Sequence, residues 1–154
     1  MTYLIVKWLH VLSSTVLFGT GLGSAYYMFF ASRTRDVHAA AVVSRQLVRA
    51  DWIFTATTVI FQPLSGIYMA HLANIPLTSR WIVASFTLYF LAGAFWLPVV
   101  WMQIRMRNMA ATASVRNTPL PELYWTYLDR WTLLGVPAFV ALIAVFWLMV
   151  AKPA

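Results

Sequence analysis

Four stretches of the chain are apolar almost without interruption, and the segments between them are short and rich in arginine or in small polar residues. Each stretch exceeds the roughly 18 apolar residues that cross about 30 Å of hydrocarbon at about 1.5 Å per residue. The runs are continuous and not alternating. That excludes the strands of a membrane barrel and predicts helices, whose backbone groups satisfy one another away from water. The helices fall at about residues 3–31, 51–72, 79–109 and 119–151, with an amphipathic, interfacial lead-in over about 36–50. They consume nearly all of residues 1–154, so the expectation is one all-α, polytopic membrane domain, a four-transmembrane-helix bundle. The first run is too long for a signal-peptide core and ends in Tyr26, Tyr27, Met28, Phe29 and Phe30 with no small-residue cleavage site, so it reads as a mature helix.

The informative positions are those that break the apolar pattern. His10 follows Trp8 and Leu9 in the first helix, ahead of Ser13, Ser14 and Thr15. An ionisable side chain at membrane depth is costly and points to function. The alternative is a neutral imidazole hydrogen-bonded to a hydroxyl such as Ser13 or Ser14 and to a neighbouring helix. Gly19 and Gly23 form a small-xxx-small pair, expected to let another helix approach closely. Asp51 is expected to open the second helix, where a carboxylate serves first-turn amides. Gln62 and Pro63 fall in the middle of that helix, and the missing proline N–H frees the carbonyl of Val59. Pro98 and Pro137 repeat the device in the third and fourth helices, and the three kinks together suggest a hollow on the arginine-rich side. His71 closes the second helix. Ala110 to Thr118, small and polar, reads as a loop.

Charge changes the picture by giving the bundle a direction. The chain is 62% hydrophobic and 10% charged with a net charge of +7, but its basic residues flank the hydrophobic runs, the footprint of membrane topology. No soluble basic surface remains for a nucleic acid. Arg33, Arg35, Arg45 and Arg49 mark the first connection as cytoplasmic, and Arg105, Arg107 and Arg116 mark the third, while the middle turn has only Arg80 at its edge. Both termini are therefore expected outside, in a bacterial cytoplasmic (inner) membrane. Trp8, Trp81 and Trp147 agree as outer anchors, and Trp52, Trp101, Trp125 and Trp131 as inner ones. At the inner rim Asp51, Arg105, Asp129 and Arg130 are expected to form a charge cluster, Asp51 pairing with Arg105 or Arg130 and Asp129 with Arg105 or Arg107. The other reading is solvation among headgroups, since exposed pairs contribute at most about 1 kcal/mol.

Chemistry of the soluble kind has little to stand on. There is no cysteine, hence no thiol redox and no Cys-held metal, and there is no metalloprotease helix, nucleophile elbow or phosphate loop. What remains is His10, with His71 in the same outer layer. A membrane four-helix bundle with an inward imidazole suits a b-type haem, with His10 as axial ligand and His71 as a candidate second ligand.

Lys7, Trp8, Leu9 and His10 with the glycines that follow, Asp51 and Trp52 with Gln62, Pro63 and Gly66, Trp96 to Trp101 through Arg105 and Arg107, and Trp147 to Pro153 resemble the bacterial domain-of-unknown-function 2269 family of predicted integral membrane proteins. The Lys-Trp-Leu-His opening is also similar, more distantly, to haem-binding membrane protoporphyrinogen oxidases and copper-resistance type membrane proteins. That likeness implies His10 as axial ligand, but the third helix lacks the lysine of the oxidase pattern. Three functional readings follow. The first is a haem b redox protein with quinone or porphyrin contact and a membrane redox partner. The second is a cofactor-free scaffold or accessory subunit docking a partner or a second copy. The third is a transporter of a small solute, for which four helices without a repeat are few.

Overall fold

The computed structural model describes residues 1–153 and is helical nearly throughout. α1 spans Thr2–Arg33, α2 Val37–Ala50, α3 Ala56–Leu72, α4 Arg80–Arg116 and α5 Glu122–Ala151, with one π turn, Asp51–Thr55, between α2 and α3. Because α2, the π turn and α3 run on without a break, the long apolar helices among the described residues number four, Thr2–Arg33, Val37–Leu72, Arg80–Arg116 and Glu122–Ala151. The tight connections use left-handed residues, Arg35, Asn74 and Asn117, at φ of 58°, 54° and 50°; asparagine adopts that conformation more readily than most side chains.

The segment expected as an interfacial lead-in is the first third of the second long helix. Asp36, and not Asp51, is its cap, accepting from the amides of His38 (2.8 Å) and Ala39 (3.0 Å). Asp51 sits inside a continuous helix instead, because the amphipathic face of α2 is covered by protein: Ala40, Ala41, Ser44, Leu47 and Val48 are buried, chiefly against α4.

A second boundary moves for the same reason. The stretch expected as a loop from Ala110 is helical to Arg116, and Ala110 and Ala113 are 0% and 4% exposed in one core with Ala40 and Ala41. Alanine is the best helix former, and its small side chain lets α2 lie close on α4. At 37 residues, α4 is about 55 Å long at about 1.5 Å per residue, well beyond the roughly 30 Å hydrocarbon layer. Its later turns carry Arg105, Arg107 and Arg116.

The best-packed core therefore sits at the arginine-rich end, where Met28, Leu47, Met106, Tyr124, Leu128 and Trp131 meet. There Ser32 donates to the carbonyl of Met28 (2.7 Å) and so takes its 2.7 Å contact with the Tyr124 hydroxyl as acceptor, tying the end of α1 to the start of α5. Toward the other end α1 stays with α3 and α4 with α5, while α3 and α4 barely meet. Both chain ends and the His71–Ser79 turn share that looser end. The close helix approach expected at Gly19 and Gly23 is not made among the described residues. A Cβ added at either would meet nothing within 4 Å, because no neighbour crosses that face of α1.

Candidate functional site

Between the α1/α3 and α4/α5 pairs, in the half of the molecule that holds the chain ends, lies a cavity of about 210 Å³. Its walls are mostly apolar, with Leu17 and Phe18 on one side and Phe86, Leu142 and Phe146 on the other. The polar groups facing it are few: His10, Ser14, Gln62, Ser85 and Tyr89, with Lys7 and Lys152 toward the chain ends. An apolar hollow with a small number of convergent polar groups is the usual form of a ligand site. It lies at the opposite end from the arginine-rich side where a hollow was expected. Gln62 and Pro63 line it, but Pro98 and Pro137 do not, because the helices diverge where the chain ends gather and close where α2 wedges in.

His10 is held by α3. Its Nδ1 lies 2.7 Å from Ser65 Oγ, and Gln62 Nε2 donates to the His10 carbonyl at 3.0 Å. Ser65 has one proton, and its hydroxyl points at the carbonyls of Phe61 (2.7 Å) and Gln62 (3.1 Å). With that proton committed to the backbone, Ser65 receives a hydrogen bond from Nδ1–H. The imidazole is therefore the Nδ1–H tautomer, and the lone pair rests on Nε2. Gly66 completes the cradle: a Cβ built there would stand 3.7 Å from His10 Cε1, so the bare backbone lets the ring lie against α3. The hydroxyl partner is thus on another helix, not Ser13 or Ser14. Ser14 and Thr15 turn back to the carbonyl of Val11 at 2.7 and 2.9 Å.

The carbonyl that Pro63 frees is also accounted for. Tyr89 donates its hydroxyl to Val59 O at 2.8 Å, from α4 to α3 across the open side. An unmet carbonyl at membrane depth costs several kcal/mol, on the order of a lost hydrogen bond in hydrocarbon. Tyr89 removes that cost and ties the two helix pairs together beside the cavity.

His71 is exposed at the end of α3 and does not line the cavity, so the two histidines are not brought together. Among the described residues no group of three His, Cys, Asp or Glu side chains could hold a metal ion. The expected charge cluster is dispersed. Asp51, buried, accepts from Thr55 Oγ1 (2.9 Å) and Gln103 Nε2 (2.6 Å), and Gln103 Oε1 accepts from Trp131 Nε1 (3.2 Å). Neutral donors fill the place expected for Arg105 or Arg130, because an arginine there would have to be drawn out of water into the packed end of the bundle. Arg105 lies instead over the Trp101 ring at 5.3 Å, Arg107 bonds Asn108 Oδ1 at 3.1 and 2.9 Å, and Asp129 and Arg130 are exposed. Gln103, Ser65 and Tyr89 were not singled out as site residues from the sequence. For Tyr89 the only signal is its complement, the carbonyl that a mid-helix proline must leave.

Comparison with known proteins adds one match. A family model described as "Predicted integral membrane protein (DUF2269)" covers residues 4–153. No curated protein and no solved structure matches the chain.

Proposed function

The chain belongs to the DUF2269 family of predicted integral membrane proteins, and on that premise we propose that it binds a b-type haem in the cleft, as a membrane redox protein with His10 as the single axial ligand. The observation that carries the reading is the support of His10 by Ser65 and Gln62 on α3. A metal-binding histidine characteristically donates its other ring N–H to a partner that sets its orientation, and Ser65 occupies that role at 2.7 Å. The donor set fits a haem held on one side: one neutral imidazole nitrogen, aromatic and aliphatic walls that raise the cost of net charge on the group, and lysines near the chain ends suited to acidic edge groups. When bound, haem would supply one-electron chemistry. The chain's own residues would orient Nε2 through Ser65 and Gln62 and exclude bulk water with Phe18, Phe86 and Phe146. A quinone or porphyrin is the contact that goes with this reading. The orientation that goes with this reading puts the cleft in the outer leaflet of a bacterial inner membrane.

Protein purified in mild detergent from haem-replete cells is expected to show a Soret band that His10→Ala abolishes while helical content stays unchanged. Colourless wild-type protein would sink the reading.

A second reading, an accessory subunit that docks a partner or a second copy, is favoured by the bare face at Gly19 and Gly23, where a helix from another chain could approach its backbone. Native mass in detergent separates the two, since a cofactor-free monomer removes the docking role.

A further inference from the structure

The cleft carries a charge asymmetry that His10 does not explain. Lys7, on α1, and Lys152, just past the end of α5, both line it, and Lys152 Nζ lies 5.7 Å from the centre of the Trp81 ring, another lining residue. The sequence has four side-chain carboxylates, Asp36, Asp51, Glu122 and Asp129. None of them lines the cavity. Asp36 caps α2, Asp51 lies in the π turn, and Glu122 and Asp129 belong to the first turns of α5, so all four stand toward the arginine-rich end.

Shape adds a second constraint. Along α1 the lining runs from Tyr3 to Phe18, about 22 Å of helix at about 1.5 Å per residue. One leaflet with its headgroup layer is about as deep, half of roughly 40–45 Å. The cavity is thus one leaflet long, apolar along its length, and cationic at the end where headgroups lie. Its open side, where α3 and α4 barely meet, faces the bilayer.

We propose that the cleft holds an acyl chain of an anionic phospholipid, with the phosphate-bearing headgroup set between Lys7 and Lys152. A zwitterionic lipid has the same apolar body but brings its own cation to the lysines, so charge at the mouth selects between them. The inference shares the cleft with the haem reading but not the iron ligand. In haem-free protein the lipid is the occupant that a cofactor must displace.

The test uses the full chain in bilayers containing phosphatidylglycerol or phosphatidylcholine with identical dibrominated chains, which quench tryptophan on contact. Trp81→Phe identifies the part of the signal that reports on the cleft. For wild type, that component is expected to favour phosphatidylglycerol by about 25-fold, since each of the two lysines near an anionic headgroup is worth about a fivefold preference. In Lys7→Gln/Lys152→Gln the preference falls to near one, and in Lys7→Arg/Lys152→Arg it is kept. No preference in wild type, or an undiminished one in the double glutamine variant, overturns the proposal, and so does its loss in the arginine variant if that variant is folded. The two readings are separated on the same samples: a colourless protein that keeps the phosphatidylglycerol preference fails the haem reading alone, and a haem-binding protein without that preference fails the lipid proposal alone.

Discussion

Ser65 has one hydroxyl proton and three polar neighbours, and that shortage decides the chemistry of His10. Two of the neighbours are carbonyls, which only accept, so the imidazole must be the donor. Ser65→Ala removes the acceptor and frees the ring to rotate or change tautomer. If His10 ligates haem, the variant is expected to bind it about 10–100-fold more weakly, the usual effect of losing a ligand's outer partner; Ser65→Thr should restore most of it. A haem titration followed at the Soret band reads both, and unchanged affinity in Ser65→Ala would show that the bond does not orient the ligand. At this scale the sequence is half legible. A histidine, a glutamine and a proline in apolar runs stand out because each is costly there. Ser65 does not, since serine commonly bonds back to its own helix, and its partner is 55 positions away. Gln103 escapes notice for a related reason: it lies among Trp101, Arg105 and Arg107, and looks like part of a wet boundary until Asp51 and Trp131 close on it.

Elements are more legible in kind than in extent. Long apolar runs demand helices in any membrane, which is why all four spans follow from the pattern. Their ends outside hydrocarbon are set by packing between segments far apart in sequence, and no local pattern states that Ala110 and Ala113 are to be covered by Ala40 and Ala41. Small residues in a polar context read equally well as a loop. The packing is open to test with a pair of neighbours. Ala110 is buried and Ala111 exposed on the same turn. Ala110→Leu is expected to destabilise by about 1–3 kcal/mol through overpacking, seen as a lower thermal midpoint in detergent, while Ala111→Leu stays close to wild type. Equal effects would mean that α2 does not dock on α4 in this way.

Over the whole molecule, charge and openness are sorted to opposite ends. The packed end holds every arginine but Arg80 and all four side-chain carboxylates, and the open end holds His10, Lys7 and Lys152. By the positive-inside rule the loop arginines predict a cytoplasmic packed end. The absence of cysteine makes this simple to check in right-side-out vesicles. Ser79→Cys, in the turn at the open end, should react with a membrane-impermeant maleimide at once, and Ser114→Cys only after permeabilisation; the reverse pattern would invert the expected topology. The two ends are joined through the π turn, and the join has a geometric logic. Ala40, Ser44, Leu47, Asp51, Thr55, Thr58, Gln62 and Ser65 form a single buried stripe at spacings of three and four. Asp51 meets Gln103 on α4, yet Gln62 and Ser65 meet His10 on α1. A π turn takes up one extra residue, and a residue is worth roughly 100° of helix rotation, so it swings the stripe from one neighbour to the other. Wound as plain α-helix, the same residues would aim Ser65 away from His10. The span from Asp51 to Thr55 is accordingly the place in this helix where a chain one residue shorter, fully α-helical, would still present every downstream side chain to its present partner. Between Ala56 and Phe61, by contrast, the loss of one residue would turn Gln62 and Ser65 by roughly 100° away from His10.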